Sequence, residues 1–454
     1  MGIIKKILFI ILLFFVCQTL AQTTGDTLIV KGSMYIQHIV KPTETYNTIS
    51  KKYKVSVEEL KLHNRNSKLF YKQLLFIPIN STLSERLLFK DKEFNQSFSK
   101  KSIKEKGLNN FGKKDSLNIA VLLPFYSSKN DSLLSFLSDS EQAKEDIYKD
   151  SYMALQYLEG LIIATDSLSK TGMNINLFVY DTENDSTKVQ EIIKDSRLKD
   201  IDLIIGPVFT RNLRNITRIY GKDKKKKIVS PLSRNSSVLK DGGNIFQIIP
   251  PFSIQIDKIS SYISKRYKKE KILILAQKKE EVHAKHYKNY FRNKKRKSKT
   301  CLFDGLNTIT RDTLCKFLSD HKYVVLIPSG DRSFVSKVIP ILGIIDTNMT
   351  VFGLHNWKSY ENLDISTLMK LNVHFPDPYF FDYQKKENQR FNALFSQEFN
   401  TLPNKYAQIA FKQCMYFCSN KGNYRFKKYY SKGGFVNYHF PIVKYTDYEI
   451  EQLD

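Results

Sequence analysis

Four residues that stand close together in the sequence have side chains able to bind a metal ion. Glu280, Glu281, His283 and His286 supply carboxylates and imidazoles, which are common ligands of zinc and other transition metals. Their order differs from H-E-x-x-H, the arrangement that places two histidines and a catalytic glutamate on one helix face. We therefore interpret these residues as an exposed helix face, and we predict no metal site and no cofactor.

Sequence signatures of covalent and phosphate chemistry are also missing. The sequence has no G-x-S-x-G nucleophile elbow, no P-loop and no G-x-G-x-x-G fingerprint. Its paired glycines, Gly242-Gly243 and Gly433-Gly434, are typical of turns. With no activated nucleophile and no acid–base pair recognised, we expect no enzymatic activity and no catalytic residues.

The first residues are typical of an export signal. Lys5 and Lys6 precede an apolar run, Ile7–Val16, and Thr19-Leu20-Ala21 follows with small residues. The run is shorter than the ~20 residues of a membrane helix. We predict that residues 1–21 are a cleaved signal peptide.

Lipid attachment at Cys17 is the alternative fate of this segment. Phe14-Phe15-Val16 lacks the small residue expected before a lipid-modified cysteine, so cleavage is favoured. No other run approaches the ~20 apolar residues of a membrane span, and we expect no transmembrane segment in the mature chain. The expected location is the periplasm or cell envelope, after secretion across the inner membrane.

Composition indicates more than one domain and a strongly basic chain. A single core rarely grows past ~250–300 residues, and this chain has 454 residues with a net charge of +27. Lysines and arginines cluster at 222–227 and 292–299, which indicates either attraction to anionic polymers or membrane surfaces, or solvated loops. Export and the lack of a nucleic-acid-binding motif argue against nucleic acid.

Cysteine usage leaves the thiol chemistry open. Cys301, Cys315, Cys414 and Cys418 follow the predicted signal peptide, an even number in an oxidising compartment. A Cys301–Cys315 bridge and free buried thiols at Cys414 and Cys418 are both compatible with the spacing.

Residues 35–80 have the pattern of a small strand–helix–helix–strand unit. Residues 35–40 alternate as in a short strand, and Thr45 is an N-cap residue before a first helix. Ser56 with Glu59 forms a capping box before a second helix. Leu75-Phe76-Ile77 before Pro78 is typical of a closing strand.

The ordered run T-x-x-x-I-S-x-x-Y-x-V-S-x-x-x-L-x-x-x-N, residues 45–64, resembles LysM modules, which bind N-acetylglucosamine-containing glycans. Thr43 and Lys72 stand where the family usually has glycine. The resemblance implies a peptidoglycan-binding βααβ module with sugar contacts in two loops. The loop residues are Pro42, Thr43, Glu44, Thr45, Asn66, Ser67, Lys68, Leu69 and Phe70.

A polar, charged segment, residues 81–116, is predicted to be a flexible linker because it cannot bury enough apolar surface to order itself. Strand and helix patterns then alternate, which predicts an α/β fold with doubly wound parallel sheets. Strands are predicted at 117–124, 175–180, 202–206, 227–230, 271–276, 323–328 and 350–354. Helices are predicted at 151–169, 188–198, 255–267 and 333–342.

The run from Val179 to Thr210, with a strand ending in aspartate and a later strand ending in Gly-Pro, resembles type I periplasmic binding proteins of the branched-chain amino-acid kind. Collinear similarity extends from Leu117 to about Tyr445. The resemblance implies two lobes within 117–454. Lobe 1 is about 117–245, lobe 2 about 246–345, and both receive parts of 350–454.

Ligand residues of the family carry over only in part. Thr210 stands near the first carboxylate-binding position, and Ser233 with Arg234 stands where the family has a Ser/Ala–Thr pair. Asp331 stands where an acidic residue of lobe 2 would bind an ammonium group. A long Arg234 would crowd an amino-acid pocket, but it could form a charge-assisted bond to a larger anionic ligand.

Two functions are therefore expected. In the first, LysM attaches the protein to peptidoglycan while the bilobed domain senses or captures a small anionic solute. In the second, the bilobed domain has lost its ligand and acts as a scaffold or regulator that docks onto a cell-wall synthesis protein. Lipoprotein activators of penicillin-binding proteins use the same lobe architecture in that way.

Overall fold

The computed structural model describes residues 27–30, 33–40, 44–53, 55–64, 69, 74–78, 116–137, 147–318, 321–345, 348–419 and 421–453. The predicted signal peptide, residues 1–21, lies outside the described residues, as does the predicted linker up to residue 115. The chain divides into an N-terminal unit and a larger unit, and each is described separately.

The N-terminal module is a three-stranded antiparallel sheet with two helices. Its strands β1 (Thr27–Val30), β2 (Ser33–Ile39) and β3 (Leu74–Pro78) pair in that order. Helices α1 (Tyr46–Tyr53) and α2 (Val57–Asn64) connect β2 to β3. The predicted βααβ arrangement is confirmed, and β1 is an additional edge strand.

Side-chain caps begin both helices of the module. The Thr45 hydroxyl accepts the Thr48 amide at 3.2 Å, and the Ser56 hydroxyl accepts the Glu59 amide at 3.1 Å. Each cap satisfies an amide that has no partner inside the helix. The module has its own apolar core, formed by Val40, Tyr46, Ile49, Val55, Leu60, Leu75 and Ile77.

Lobe 1 of the larger unit contains a seven-stranded sheet. In chain order its strands are β4 (Leu117–Leu123), β5 (Ile175–Asp181), β6 (Leu203–Ile205), β7 (Lys227–Ser230), β8 (Ile245–Gln247), β14 (Phe426–Lys428) and β15 (Phe435–Asn437). They pair in the order β14-β15-β8-β7-β6-β4-β5, and all are parallel except β14. Helices of this region are α3 (Ser127–Leu137), α4 (Tyr152–Ser169), α5 (Ser186–Lys194) and α6 (Thr210–Tyr220).

Lobe 2 repeats this architecture. Its strands are β9 (Lys271–Gln277), β10 (Ser298–Phe303), β11 (Tyr323–Leu326), β12 (Met349–Phe352), β13 (His374–Pro376), β16 (Ile442–Thr446) and β17 (Glu449–Gln452). The order is β10-β9-β11-β12-β13-β16-β17. Strands β10 to β13 are parallel, whereas β16 pairs antiparallel with both β13 and β17. Its helices are α7 (Phe252–Arg266), α8 (Glu281–Asn293), α9 (Arg311–Cys315), α10 (Arg332–Ile344) and α11 (Ile365–Lys370).

The chain passes between the lobes after β8, after β13 and after β15, and hydrogen bonds join these passages. The Asn437 side-chain amide donates to the Ile248 carbonyl at 3.3 Å. The Asp377 amide donates to the Pro441 carbonyl at 2.9 Å. After the second passage the chain forms α12 (Lys386–Phe399) and α13 (Lys405–Ser419). The expected α/β fold with two lobes and parallel sheets is confirmed.

Further expectations concern cysteines and membrane spans. Cys301, Cys315, Cys414 and Cys418 are free thiols, and the Cys414 and Cys418 sulfurs are 3.8 Å apart within α13. Among the helices described above, none is both long and apolar enough to span a membrane.

Close packing of α4 against α13 is possible because a glycine stands at the contact. A Cβ atom on Gly160 would lie 2.2 Å from the Ala407 carbonyl oxygen. Beside it, the buried Tyr157 hydroxyl donates to the Gln413 side-chain oxygen at 2.5 Å. The two helices thus meet almost backbone to backbone.

We expect Gly160→Ala to lower the free energy of unfolding by about 2 kcal/mol. Overpacking typically costs about 1–3 kcal/mol, and the higher helix propensity of alanine recovers at most about 1 kcal/mol. Chemical denaturation of the chain from residue 22 measures this change. Gly305→Ala is the matched control, because nothing lies within 4 Å of the Cβ position there. Equal stability of the two variants would contradict the packing argument.

Candidate functional site

The carboxyl ends of β6 and β7 bring two of the predicted ligand residues together. Thr210 is the first residue of α6, and Ser233 lies in the loop after β7. Their hydroxyl oxygens are 3.0 Å apart and share a hydrogen bond. Gln247 fixes the loop from β8, since its side-chain amide donates to the Ser233 carbonyl at 3.0 Å. Both hydroxyls therefore occupy the strand ends where α/β folds bind ligands.

Arg234 extends the same loop with an exposed guanidinium group. The guanidinium carbon lies 4.9 Å from the centre of the Phe252 ring, a cation–π contact. Among the described residues, no carboxylate forms an ion pair with Arg234. The charge is fixed in position but not neutralised.

His355 and Tyr379 lie within the electrostatic influence of Arg234. Burial lowers the pKa of His355 to about 4; Asp377 opposes the shift, and Arg234, Lys358 and Lys405 add to it. Burial raises the pKa of Tyr379, and Arg234 opposes that shift. The two rings are 5.2 Å apart. At neutral pH the His355 imidazole and the Tyr379 phenol are therefore both uncharged, and Arg234 carries a positive charge.

Polar atoms of lobe 2 remain unpaired beside this cluster. His355 Nδ1 and Asn356 Oδ1 are both buried and have no hydrogen-bond partner among the described residues. An unmade hydrogen bond at a buried polar atom costs about 1–3 kcal/mol. These atoms are candidates for contact with a bound molecule.

Asp331, the predicted acidic residue, has other partners. Its carboxylate caps α10 by accepting the Phe334 amide at 2.9 Å, and it pairs with Lys279 at 2.5 Å. Lys279 is the main reason that the pKa of Asp331 is lowered. A role in binding an ammonium group stays a prediction.

The first helix of lobe 1 begins at a carboxylate cluster that the sequence analysis did not identify. Asp181 accepts the Phe125 and Ser127 amides, each at 2.8 Å. Glu183 accepts the Ser128 amide at 2.8 Å and pairs with Lys188. Hydrogen bonds from Lys188 and Ser128 lower the pKa of Glu183 to about 2. An aspartate at the end of a predicted strand was the available signal.

This cluster affects ligand choice, because helix N-termini are common anion sites. The carboxylates of Asp181 and Glu183 already occupy the start of α3. A second anion there would be repelled. Arg234 is therefore the better candidate anion-binding group in lobe 1.

His355, Tyr379 and Phe252 are not among the ligand residues predicted from the sequence. His355 directly follows a strand predicted to end at residue 354, so its position at a strand end was a usable signal. Tyr379 and Phe252 follow passages between lobes, where no local pattern marks a ligand contact.

The histidines of α8 have separate partners. His286 Nε2 lies 2.9 Å from Asp257, and the His283 ring packs against Phe252 at 5.2 Å. Glu280 accepts the Gln277 amide. Within the described ranges, no group of three His, Cys, Asp or Glu residues could hold a metal ion.

In the N-terminal module, the first predicted sugar loop is tied to a buried histidine. His38 is only 5% exposed, and its Nε2 lies 2.6 Å from Glu44, while its Nδ1 lies 2.9 Å from the Tyr53 hydroxyl. Thr45 caps α1 and Leu69 packs against the core. The other predicted sugar-contact residues, Pro42, Thr43, Asn66, Ser67, Lys68 and Phe70, lie outside the described residues.

Comparison with known protein families identifies the N-terminal module. The LysM domain family matches residues 38–78, so the predicted LysM module is confirmed. None of the curated proteins matches the chain.

Solved structures resemble the larger unit. A putative branched-chain amino-acid ABC transporter protein from Rhodospirillum rubrum has a TM-score of 0.54 at 9% identity, over 74% of this chain and 100% of that chain. An ABC transporter substrate-binding protein from Desulfitobacterium hafniense in complex with Leu has a TM-score of 0.49 at 15% identity, over 74% and 100%. LpoA from Haemophilus influenzae has a TM-score of 0.48 at 13% identity, over 76% of this chain and 60% of LpoA. The first likeness establishes the fold, that of the type I periplasmic binding proteins.

The pKa of His355 predicts a stability change with pH. The folded pKa is about 4, below the ordinary value of about 6.5 in an unfolded chain. Between these values the unfolded state binds more protons, so the free energy of unfolding falls as pH decreases from about 6.5 towards about 4. We expect His355→Gln to reduce this fall, measured by denaturation at successive pH values.

His321→Gln is the control for this measurement, because the His321 side chain is exposed. It makes the same substitution at a position outside the candidate ligand site. Identical slopes for His355→Gln and His321→Gln would refute the contribution of His355.

Proposed function

We propose that this protein is a non-enzymatic component of the bacterial cell envelope. Its LysM domain binds peptidoglycan, and its bilobed domain captures an anionic solute. The observation that carries the second part is the exposed Arg234 guanidinium, which has no ion-pair partner among the described residues. LysM, as a glycan-binding family, supports the first part.

The surroundings of Arg234 favour a carboxylate or phosphate ligand over a neutral sugar. A guanidinium group binds such anions through two parallel hydrogen bonds. The Thr210 and Ser233 hydroxyls follow the neighbouring strands β6 and β7 and can donate further hydrogen bonds. Asp331 and Glu183, which also lie after strand ends, pair with Lys279 and Lys188. Neither carboxylate forms an ion pair with Arg234, so the charge of Arg234 is available to an anion.

Aromatic groups indicate that the ligand also has an apolar part. Phe252 lies beneath Arg234, and the His355 and Tyr379 rings stand together nearby. Ligand sites in α/β proteins combine apolar walls with a few polar groups that fix orientation. An amino-acid derivative, a peptidoglycan fragment or an acidic metabolite has this combination.

The location follows from the same proposal. A LysM domain needs access to peptidoglycan, which lies outside the inner membrane. The basic and apolar segments within residues 1–21 supply a signal for export. We therefore infer that the chain is secreted into the periplasm or cell envelope.

A docking function is the second candidate, and particular contacts favour it. Carboxylates occupy the start of α3, and Asp331 is committed to Lys279 and to the cap of α10. Both groups are thus withdrawn from an amino-acid ligand. In this alternative the bilobed domain is a scaffold or regulator that binds a cell-wall synthesis protein.

Peptidoglycan binding is tested by sedimentation of the chain from residue 22 with purified sacculi at low and moderate salt. We expect Asn66→Ala combined with Ser67→Ala to reduce sedimentation severalfold, because this predicted loop contacts sugar. The control is Lys51→Ala combined with Glu58→Ala, which changes exposed helix positions and also leaves the net charge unchanged.

Two results would contradict specific glycan binding. One is a chain that remains in the supernatant at both salt concentrations. The other is sedimentation only at low salt, since interactions between exposed charges are screened by added ions.

Solute binding is tested by thermal-shift screening of amino acids, peptidoglycan fragments and acidic metabolites. A ligand present at ~100 times its Kd adds about 2.7 kcal/mol to the stability of the folded state. For a domain of this size that raises the midpoint by about 2–4 °C per kcal/mol. We expect Arg234→Ala to abolish the shift and Arg234→Lys to retain only part of it, since lysine keeps the charge without the planar fork.

Arg218→Ala is the matched control, because it removes the same charge from an exposed position on α6. It should leave the shift unchanged. A screen with no shift, together with a partner protein crosslinked to the bilobed domain, would replace solute capture with the docking function.

A further inference from the structure

The edge of the lobe 2 sheet opposite the candidate ligand site is strongly basic. Three segments meet there, residues 268–271 before and at the start of β9, residues 294–297 before β10 and residues 321–322 before β11. We call these segments the basic edge. They hold eight Lys or Arg residues, three in the first segment, four in the second and one in the third, against the single carboxylate of Glu270.

Strand pairing, not sequence proximity, assembles this surface. The Lys271 amide donates to the Lys322 carbonyl at 3.0 Å. The Arg296 guanidinium donates to the Glu270 carbonyl at 2.9 Å. Because β10, β9 and β11 are parallel neighbours, their amino ends lie at one edge about 10 Å wide. The basic cluster at 292–299 thus lies beside the lysines of residues 268–271 and beside Lys322, which are about 25 residues away in the sequence.

Within the described part of the chain, the basic edge lacks ion pairs. None of its Lys or Arg residues forms an ion pair with another described residue. Asp320, which precedes His321 in the sequence, lies outside the described residues. Elsewhere in lobe 2, lysines such as Lys278 and Lys279 do pair with aspartates. The lack of carboxylate partners is thus a local property of this edge.

A small pocket with a partly buried arginine beside it lies within this surface. Lys269, Glu270, Lys271, His321 and Lys322 line the pocket. Arg296 stacks over the Phe291 ring at 5.8 Å, and its Nη1 is buried without a hydrogen-bond partner. The Arg296 guanidinium thus places a fixed positive charge behind the pocket, which favours an oxyanion such as phosphate.

We propose that the basic edge binds the phosphate groups of an anionic lipid surface. A single phosphate would need only a few of these cations, whereas the charges extend along the ends of neighbouring strands. Clusters of Lys and Arg are attracted to anionic bilayers by an amount that grows with each residue near the surface. This binding would hold lobe 2 against a membrane from the edge opposite Arg234, and it does not depend on the function proposed for the LysM domain or for the ligand site.

The proposal is tested by flotation of the chain from residue 22 with vesicles. Phosphatidylglycerol–phosphatidylcholine vesicles should bind the protein, and pure phosphatidylcholine vesicles should not. Lys269→Gln, Lys271→Gln and Lys322→Gln combined should weaken binding by about tenfold or more.

The matched control combines Lys222→Gln, Lys224→Gln and Lys225→Gln, which removes the same charge from exposed positions of the other basic cluster. Circular dichroism verifies that both variants are folded. Retention of vesicle binding by the control and its loss in the first variant would support the basic edge as the membrane contact.

Three outcomes would overturn the proposal. In the first, neither vesicle binds. In the second, both triple variants lose binding equally, which would assign the attraction to net charge alone. In the third, inorganic phosphate releases the protein from vesicles while chloride at matched ionic strength does not. That result would indicate a site for a free phosphate compound in place of a lipid surface.

Discussion

The buried carboxylate of Asp377 organises the region from which the candidate ligand site is built. Its side chain is fully buried and pairs with Lys358 at 2.5 Å. Its other oxygen accepts the Tyr379 amide at 3.1 Å, and its own amide donates to Pro441 at 2.9 Å. One residue therefore joins two passages between the lobes to the turn that carries Tyr379. Lys358 belongs to the short helical segment that begins at His355, so the same pair also positions the imidazole.

The Asp377–Lys358 ion pair contributes more to the positions of neighbouring segments than to the overall stability of the fold. The Asp377 carboxylate is fully buried, whereas 30% of the Lys358 side chain is exposed, so the cost of desolvation falls mainly on the carboxylate. Removal of Lys358 would leave this carboxylate buried without its ion-pair partner, which is destabilising. The pair is thus best understood as holding together the segments that carry His355 and Tyr379. Neighbouring Trp357 adds rigidity, since its indole nitrogen donates to the Ser329 carbonyl at 2.8 Å.

How much of this could be predicted from the sequence depends on whether the cause is local. The sequence predicts the strand at 227–230 with its observed bounds. The predicted strand 117–124 differs from β4 by one residue, because a strand covered on both faces forms a nearly continuous apolar run. The caps at Thr45 and Ser56 were likewise readable from a few adjacent residues. By contrast, β13 has only three residues, and α6 begins at Thr210 directly after a Gly-Pro loop. Their patterns are too short or too mixed to identify a helix or strand.

The candidate site was less predictable than the fold for the same reason. The resemblance to a known family named Thr210 and Ser233, and their contact joins residues far apart in the sequence. No periodicity indicated that Asp377 would be buried, that Asp331 would pair with Lys279, or that Arg234 would stack on Phe252. Each depends on where the passages between lobes place a side chain.

Parallel sheets explain why lobe 2 can have two unlike surfaces. All carboxyl ends of β9, β11 and β12 face one edge and all amino ends face the other. At the carboxyl edge the acids Asp331 and Asp377 pair with lysines, and neither forms an ion pair with Arg234. At the amino edge eight Lys or Arg residues face one described carboxylate. A strand of four residues separates these edges by only about 13 Å. Salt screens interactions between exposed charges over about 8–10 Å, so the charges at one edge have little effect at the other. The polarity of the strands, together with salt, therefore lets a selective anion site and a broad basic surface coexist in one small sheet.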